Sequence, residues 1–222
     1  MLLLAFDTAT PAVTAAVHDG TTVLAESTSI DARRHGELLM PAVDCVLREA
    51  GAELDAVTGI VVGVGPGPYT GLRVGLVTAA AFGDALGIPV HGICTLDGLA
   101  YASGIDGPFV VATDARRKEV YWAHYAGPRT RSSDPAVDRP GDIATQVAGL
   151  PAVGAGAALY PEVFTDIRAP ADQSAGALAA LAAAKLAEGE PFENEGGLPA
   201  LPLYLRRPDA QVPAAYKAVL PK

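Results

Sequence analysis

The sequence predicts an α/β fold of two similar lobes, each opening with a β-hairpin. Short β-branched apolar runs alternate with amphipathic runs of helical period. Half of the 222 residues are hydrophobic, enough at this length to bury about 70% of the unfolded surface. The opening pattern also returns at residue n + 107. Ala5 meets Ala112, Asp7 meets Asp114, Val13 meets Val120, Ala16 meets Ala123 and Gly20 meets Gly127, without a gap. The lobes are therefore expected at 1–106 and 107–222.

"LLLAFDTAT", "AVTAAVHDG" and "TTVLAESTSI" read as three consecutive strands, with Asp19-Gly20 as a tight turn. Residues 33–51 read as a helix with Leu39, Val43, Val46 and Ala50 on its apolar face. Gly51 is a C-cap, and Pro41 marks a kink or a loosened first turn. "GIVVGVG" is a buried strand, residues 70–87 a helix, "IPVHGI" a short strand and "TLDGLAYAS" a short helix. "FVVATDARRKEVYWAHYAG" is again strand, turn, strand. "PRTRSSDPAVDRP" reads as loop with a short strand. Residues 171–189 read as a helix capped by Asp172 or Ser174 and closed by Gly189. The proline-rich stretch from 198 to 222 is expected to run extended over the surface.

Composition narrows the function. A net charge of −9 argues against a free-standing nucleic-acid binder, which shows a basic face. Cys45 and Cys94 stand alone, without CxxC spacing, as reduced thiols do in the cytoplasm. "MLLLAFD" lacks a basic n-region and meets Asp7 at once, so it reads as a strand rather than a signal peptide. The longest uncharged stretch, Ile143 to Pro161, is broken by Gly149, Pro151, Gly154 and Gly156, so no membrane helix is expected. His18, His35, His91 and His124 share no metal-ligand spacing, and no G-x-S-x-G elbow is present.

"GVGPGPYTGLRVG", residues 63–75, looks like a phosphate loop. It lacks the lysine of a Walker loop, and Pro66 and Pro68 have no N–H to donate. Gly67, Tyr69, Thr70 and Gly71 remain as donors at a helix N-terminus, which attracts anions. The alternative is a rigid turn that launches the helix. Asp7 and Asp114 read either as groups that orient a metal-bound water or as caps of their hairpin turns. Beside Asp114, "DARRKE" sets three cations that suit either a phosphate clamp or a solvated turn.

Two hairpin-led lobes, each with an aspartate after its first strand, match the duplicated fold of actin, sugar kinases and heat-shock ATPases. In that fold both hairpin turns face one cleft and hold nucleotide phosphates and metal. Asp7, Thr8, Gly67, Thr70 and Asp114 are accordingly the candidate contacts of a weak nucleotide site.

"AFDTAT", "VGVGPGPYTGLRVG", "TDARRKEVYWA" and the closing "LPLYLRRP", in that order, resemble the TsaB (YeaZ) family. Residues 128–171 carry little of the resemblance. It implies a shortened relative of TsaD, the subunit that transfers a threonylcarbamoyl group to an adenosine of tRNA. It also implies a heterodimer with TsaD, a larger complex with the ATPase TsaE, and a homodimer in isolation. TsaD binds metal through two histidines four residues apart, and the corresponding positions here are Thr95 and Leu99. Leucine has no donor, so no metal and no catalytic residue is expected. The implied role is a non-catalytic scaffold or activator that meets tRNA only through the complex, with ATP or ADP bound at most within it. The alternatives are a stand-alone actin-fold ATPase, kinase or glycopeptidase-like enzyme, and a purely structural homodimer.

Gly71, Gly75, Ala79 and Gly83 form one stripe of the 71–86 helix, with Leu72, Leu76 and Ala80 beside it. Glycine costs a helix about 1 kcal/mol relative to alanine, so the stripe implies a compensating close approach. It packs either on the chain's own sheet and first helix or on a partner. The resemblance favours the partner, which makes Leu39, Val43, Val46, Gly71, Leu72, Gly75, Leu76, Ala79 and Gly83 the expected interface.

Overall fold

The computed structural model describes residues 1–193 and 200–206. The first sheet is built from β1 (Leu3–Asp7), β2 (Ala12–His18), β3 (Val23–Ile30), β4 (Gly59–Gly63) and β5 (Val90–Ile93). Its order is β3-β2-β1-β4-β5; β2 runs antiparallel to its neighbours, and β1, β4 and β5 are parallel. The second sheet is built from β6 (Phe109–Asp114), β7 (Val120–Gly127), β8 (Thr130–Arg131), β10 (Pro151–Val153) and β11 (Asp166–Arg168). Its order, β8-β7-β6-β10-β11, follows the same path, with β9 (Ala136–Asp138) also paired to β7. The two sheets make the duplicated, two-lobed actin-like fold that the sequence predicts.

The hairpins differ in one respect from the ungapped repeat. Asp7 pairs with Thr14, seven residues on, whereas Asp114 pairs with Val120, six residues on. The second turn is one residue shorter. Asp7 and Asp114 are equivalent, but Val13 and Val120, Ala16 and Ala123, and Gly20 and Gly127 are each one position out of register. In a strand a one-residue slip exchanges the two faces.

Helices α1 (His35–Glu49), continuous through Pro41, and α2 (Tyr69–Leu86) cover one face of the first sheet. The opposite face is covered by α6 (Ala175–Glu188), although α6 follows the second sheet in sequence. Its Leu178, Ala179 and Ala182 pack on Leu3, Ala5, Ala16 and Val61. Covered on both sides, β1, β2 and β4 are buried along their whole length. Helix α3 (Thr95–Ser103) packs between α6 and the second sheet, with Leu96 and Leu99 against Phe109 and Val111. Helices α4 (Pro140–Val147) and α5 (Ala155–Ala158) close the outer face of the second sheet through Ile143, Val147 and Ala157. Of the proline-rich stretch, residues 200–206 return to the first lobe. Ala200 enters its core and Leu203 N–H donates to Val64 O at 2.8 Å. Residues 207–222 lie outside the described residues.

The start of α6 is held by side chains of the first lobe. Ser174 is the N-cap, its hydroxyl oxygen accepting from Ala177 N at 3.0 Å. The Glu26 carboxylate accepts from Gly176 N at 3.1 Å and from the Ser174 hydroxyl at 2.8 Å, placing negative charge at a helix N-terminus. Buried Thr14 Oγ1 accepts from Ala175 N at 3.1 Å. Thr14→Val conserves shape but leaves that buried N–H without its acceptor. Urea unfolding is expected to show a loss of roughly 1–3 kcal/mol; an unchanged midpoint would mean that the contact adds nothing to stability.

Candidate interlobe site

A cleft of about 280 Å³ opens where the two hairpin turns approach each other. Thr10 and Pro11 come from the β1–β2 turn, and Asp114 and Arg116 from the β6–β7 turn. The first turn of α2 adds Tyr69, Thr70 and Gly71, and the entry to α1 adds Arg33 and His35. His35 Nε2–H donates to the Thr10 carbonyl at 2.9 Å. Asp114 Oδ1 accepts from Arg116 N at 2.7 Å, and its other oxygen lies 3.6 Å from the Arg116 guanidinium.

Of the five expected nucleotide contacts, Thr70 and Asp114 line this cleft. Asp7, Thr8 and Gly67 lie beneath it and serve the fold. Asp7 is fully buried; its carboxylate accepts from Ala9 N and from the Thr95 hydroxyl, both at 2.7 Å. Burial pushes this carboxyl up to about 6, against the opposing pull of its hydrogen bonds from Ala9, Thr95 and Thr8 and of nearby His35. Thr8 Oγ1 donates to Gly71 O at 2.7 Å and accepts from Gly75 N at 2.9 Å. Gly67 lies directly against the Ala9 carbonyl, in space a Cβ would need.

The glycine-rich stretch is therefore shaped by what presses on it from β1. A Cβ on Gly63 would overlap the Asp7 carboxylate, and one on Gly71 would meet Thr8 O at 2.7 Å. One on Gly75 would meet Thr8 Oγ1 at 2.7 Å, and one on Gly83 would overlap Val90. The expected partner stripe thus faces inward, which corrects the docking reading. Leu39, Val43, Val46, Leu72, Leu76 and Ala79 share one core with Phe6 and Val62. Gly71, Gly75 and Gly83 are buried with them. The outward face of the two helices instead carries Met40, Tyr69, Arg73 and Val77, with Val77 67% exposed.

Thr95 and Leu99 are also internal. The Thr95 hydroxyl donates to Asp7 and accepts from Gly65 N at 3.2 Å, and Leu99 is fully buried. Among the described residues no cluster of three His, Cys, Asp or Glu is placed to hold a metal. A larger cavity, about 730 Å³, lies between the second sheet and the end of α6, and its strongest charges neutralise one another. Arg131 bridges Asp97 and Glu193, Arg129 bridges Glu188 and Glu190, and Tyr125 Oη donates to Asp97.

Arg33 and His35 escaped the sequence reading as cleft residues, whereas Tyr69 was named with the donors of the helix start. The adjacent Arg-Arg-His run at the helix start was the available signal. Arg73 and Tyr204 were missed as a pair for a plainer reason, since 131 residues separate them. Tyr204 stacks on Tyr69 with centroids 5.3 Å apart, and Arg73 Nε donates to Tyr204 Oη at 3.1 Å while its guanidinium lies over the Tyr69 ring.

The family described as TsaD, tRNA N6-adenosine threonylcarbamoyltransferase, matches residues 22–213. An uncharacterised Mycobacterium tuberculosis protein is 45% identical over 216 residues, covering 94% of this chain and 93% of its own length. The Escherichia coli tRNA threonylcarbamoyladenosine biosynthesis protein TsaB is 34% identical over 128 residues, 56% of this chain and 55% of that protein. YeaZ from Pseudomonas aeruginosa superposes with a TM-score of 0.77 at 30% identity, covering 92% of this chain and all of that one.

Two outcomes follow from the buried Asp7–Thr8 contact. Gly75→Ala is expected to lower stability by roughly 1–3 kcal/mol through overpacking, read by urea unfolding; a neutral result would restore the stripe to the surface. The raised carboxyl gives a definite pH sign. Between about pH 4 and 6 the folded state holds a proton that the unfolded state releases. Stability therefore falls as pH rises through that window, by roughly 3 kcal/mol, and levels above it. Asp7→Asn keeps an acceptor without the titration, so the difference between variant and wild-type unfolding free energies should shift by that amount from pH 4 to 7. A constant difference would rule the titration out.

Proposed function

The chain belongs to the TsaB (YeaZ) family, and on that premise we propose that it is the non-catalytic partner of a TsaD-type transferase in threonylcarbamoyladenosine formation on tRNA. It binds and stabilises the transferase, which supplies the metal and the reacting groups. The observation that carries this reading is the pair Thr95 and Leu99. Where the resemblance places the transferase's metal-binding histidines, one side chain has no donor and the other is committed to Asp7 and Gly65. Asp7, the aspartate that the fold would turn toward a metal or nucleotide, is likewise spent inside. ATP or ADP, if bound in the complex, meets Thr70 at the first turn of α2 and not Asp7 or Thr8.

The partner face is the outward side of α1 and α2, where Met40 and Val77 leave apolar surface uncovered on adjacent helices. The same face pairs two copies in isolation, and an ATPase of the TsaE type joins the assembled pair in the cytoplasm.

Depletion of the protein followed by nucleoside analysis of bulk tRNA tests the role; unchanged threonylcarbamoyladenosine would refute it. Val77→Asp with Met40→Asp tests the face. Placing unpaired charge there should weaken capture of the transferase by at least about 30-fold, since burying an uncompensated charge costs several kcal/mol. Circular dichroism should stay native, because both residues are exposed; normal capture would place the interface elsewhere.

A further inference from the structure

We infer that the rim of the interlobe cleft is a direct contact surface for the phosphate backbone of RNA. The inference rests on the role in tRNA modification proposed above and adds to it a function for this chain's own cations. Its centre is the β6–β7 turn. Arg116, Arg117 and Lys118 stand there in succession with φ of 62°, 54° and 62°. A side chain in this left-handed region crowds the following carbonyl, so L-residues avoid it and glycine, asparagine or aspartate take such positions. Every other positive-φ residue among those described is glycine, at nine positions. Turn geometry alone would select glycine, asparagine or aspartate here too. Three consecutive cations in their place indicate that the charges themselves are required.

The turn holds these charges in a fixed array. Ala115 N donates to Glu119 O and Glu119 N donates to Arg116 O, both at 3.0 Å, while Arg116 N is held by Asp114 Oδ1. All three side chains are exposed. Arg33 faces them from the opposite lobe, lining the same cleft as Arg116. Arg206 closes the array by pairing with Glu119. Asp114 beside Arg116 and Glu119 beside Arg206 offset two of these five cations, which leaves a local excess of positive charge on a chain of net charge −9.

The position of the charges selects the ligand. A free mononucleotide needs donors inside a pocket. This cleft is small, its Pro11 and Pro68 have no N–H, His35 is committed to the Thr10 carbonyl, and the donors left inside it are those of Tyr69, Thr70 and Gly71 at the first turn of α2. The cations sit on the outer rim, as suits an extended chain of phosphates passing over it. Backbone contacts of this kind add affinity and register without reading sequence.

The test is fluorescence anisotropy of end-labelled bulk tRNA between 25 and 200 mM KCl, with the chain alone and in its complex with the transferase. Wild type should bind with a steep salt dependence. The triple variant Arg116→Gln, Arg117→Gln, Lys118→Gln should reduce that slope by about two to three and lower low-salt affinity by on the order of tenfold. Lys118→Gly should act in opposite directions, weakening binding while holding or raising the melting temperature, because glycine relieves the left-handed backbone. A purely structural turn would move neither slope nor affinity. The inference fails if the slope is unchanged in the triple variant. It fails also if millimolar ADP displaces the RNA, which would assign the cations to a mononucleotide, or if polyglutamate competes as well as RNA of equal charge. Capture of the transferase by the triple variant separates this result from the proposed role. Capture retained with the slope unchanged overturns only the RNA contact. Loss of capture by the triple variant would assign the turn to the protein partner and overturn the RNA contact as well.

Discussion

The segment Asp7-Thr8-Ala9 leaves the end of β1 and presses into the loop and helix that follow β4, and the first lobe is arranged around that contact. Four glycines, at 63, 67, 71 and 75, accept it in turn. Each gives up its side-chain volume to a main-chain or polar atom of the segment, so the packing is close along its whole length. Thr8 ties Gly71 to Gly75 through one hydroxyl, which sets the position of α2 on the sheet. Asp7 reaches the Thr95 hydroxyl, which sets where α3 begins. Since α3 packs between α6 and the second sheet, one buried tripeptide locates both the main helix of the first lobe and the element joining it to the second.

That contact also decides what the cleft is free to do. In a two-lobed fold of this kind the hairpin aspartate and the following threonine are natural contacts for a nucleotide or metal. Here both are enclosed, and the Asp7 carboxyl is held near 6 by burial. What remains accessible is the rim, made of side chains that come from turns and helix entries. The proposed subunit role and the proposed RNA contact both draw on this division: inner polar groups secure the fold, and outer ones are left exposed.

Much of the architecture was legible because it repeats local signals. Strand β1, the hairpin turns and helices α2 and α6 announce themselves through period, caps and glycine, and Ser174 and Gly189 end α6 where the pattern indicates. The stretch from Pro140 to Arg168 was not legible as α4, β10 and β11. Its strands, Pro151–Val153 and Asp166–Arg168, are three residues long, too short to show alternation. The one-residue difference between the hairpins was hidden for another reason. Alanine and valine are so frequent that an ungapped match persists through a slipped register.

Residue order alone specifies two hairpin-led lobes, an acidic surface, the absence of ligand side chains at Thr95 and Leu99, and a glycine stripe demanding close approach. It does not say what approaches, because the stripe reads identically whether a partner helix or the chain's own β1 end fills it. Packing settled that in favour of the chain itself: Thr8, more than sixty residues away in sequence, at Gly71 and Gly75, and Val90 at Gly83. Packing likewise placed α6 on the first sheet and brought Arg33 opposite Arg116. Contacts between segments distant along the chain leave no periodic trace in either one, so they emerge only when the whole core closes.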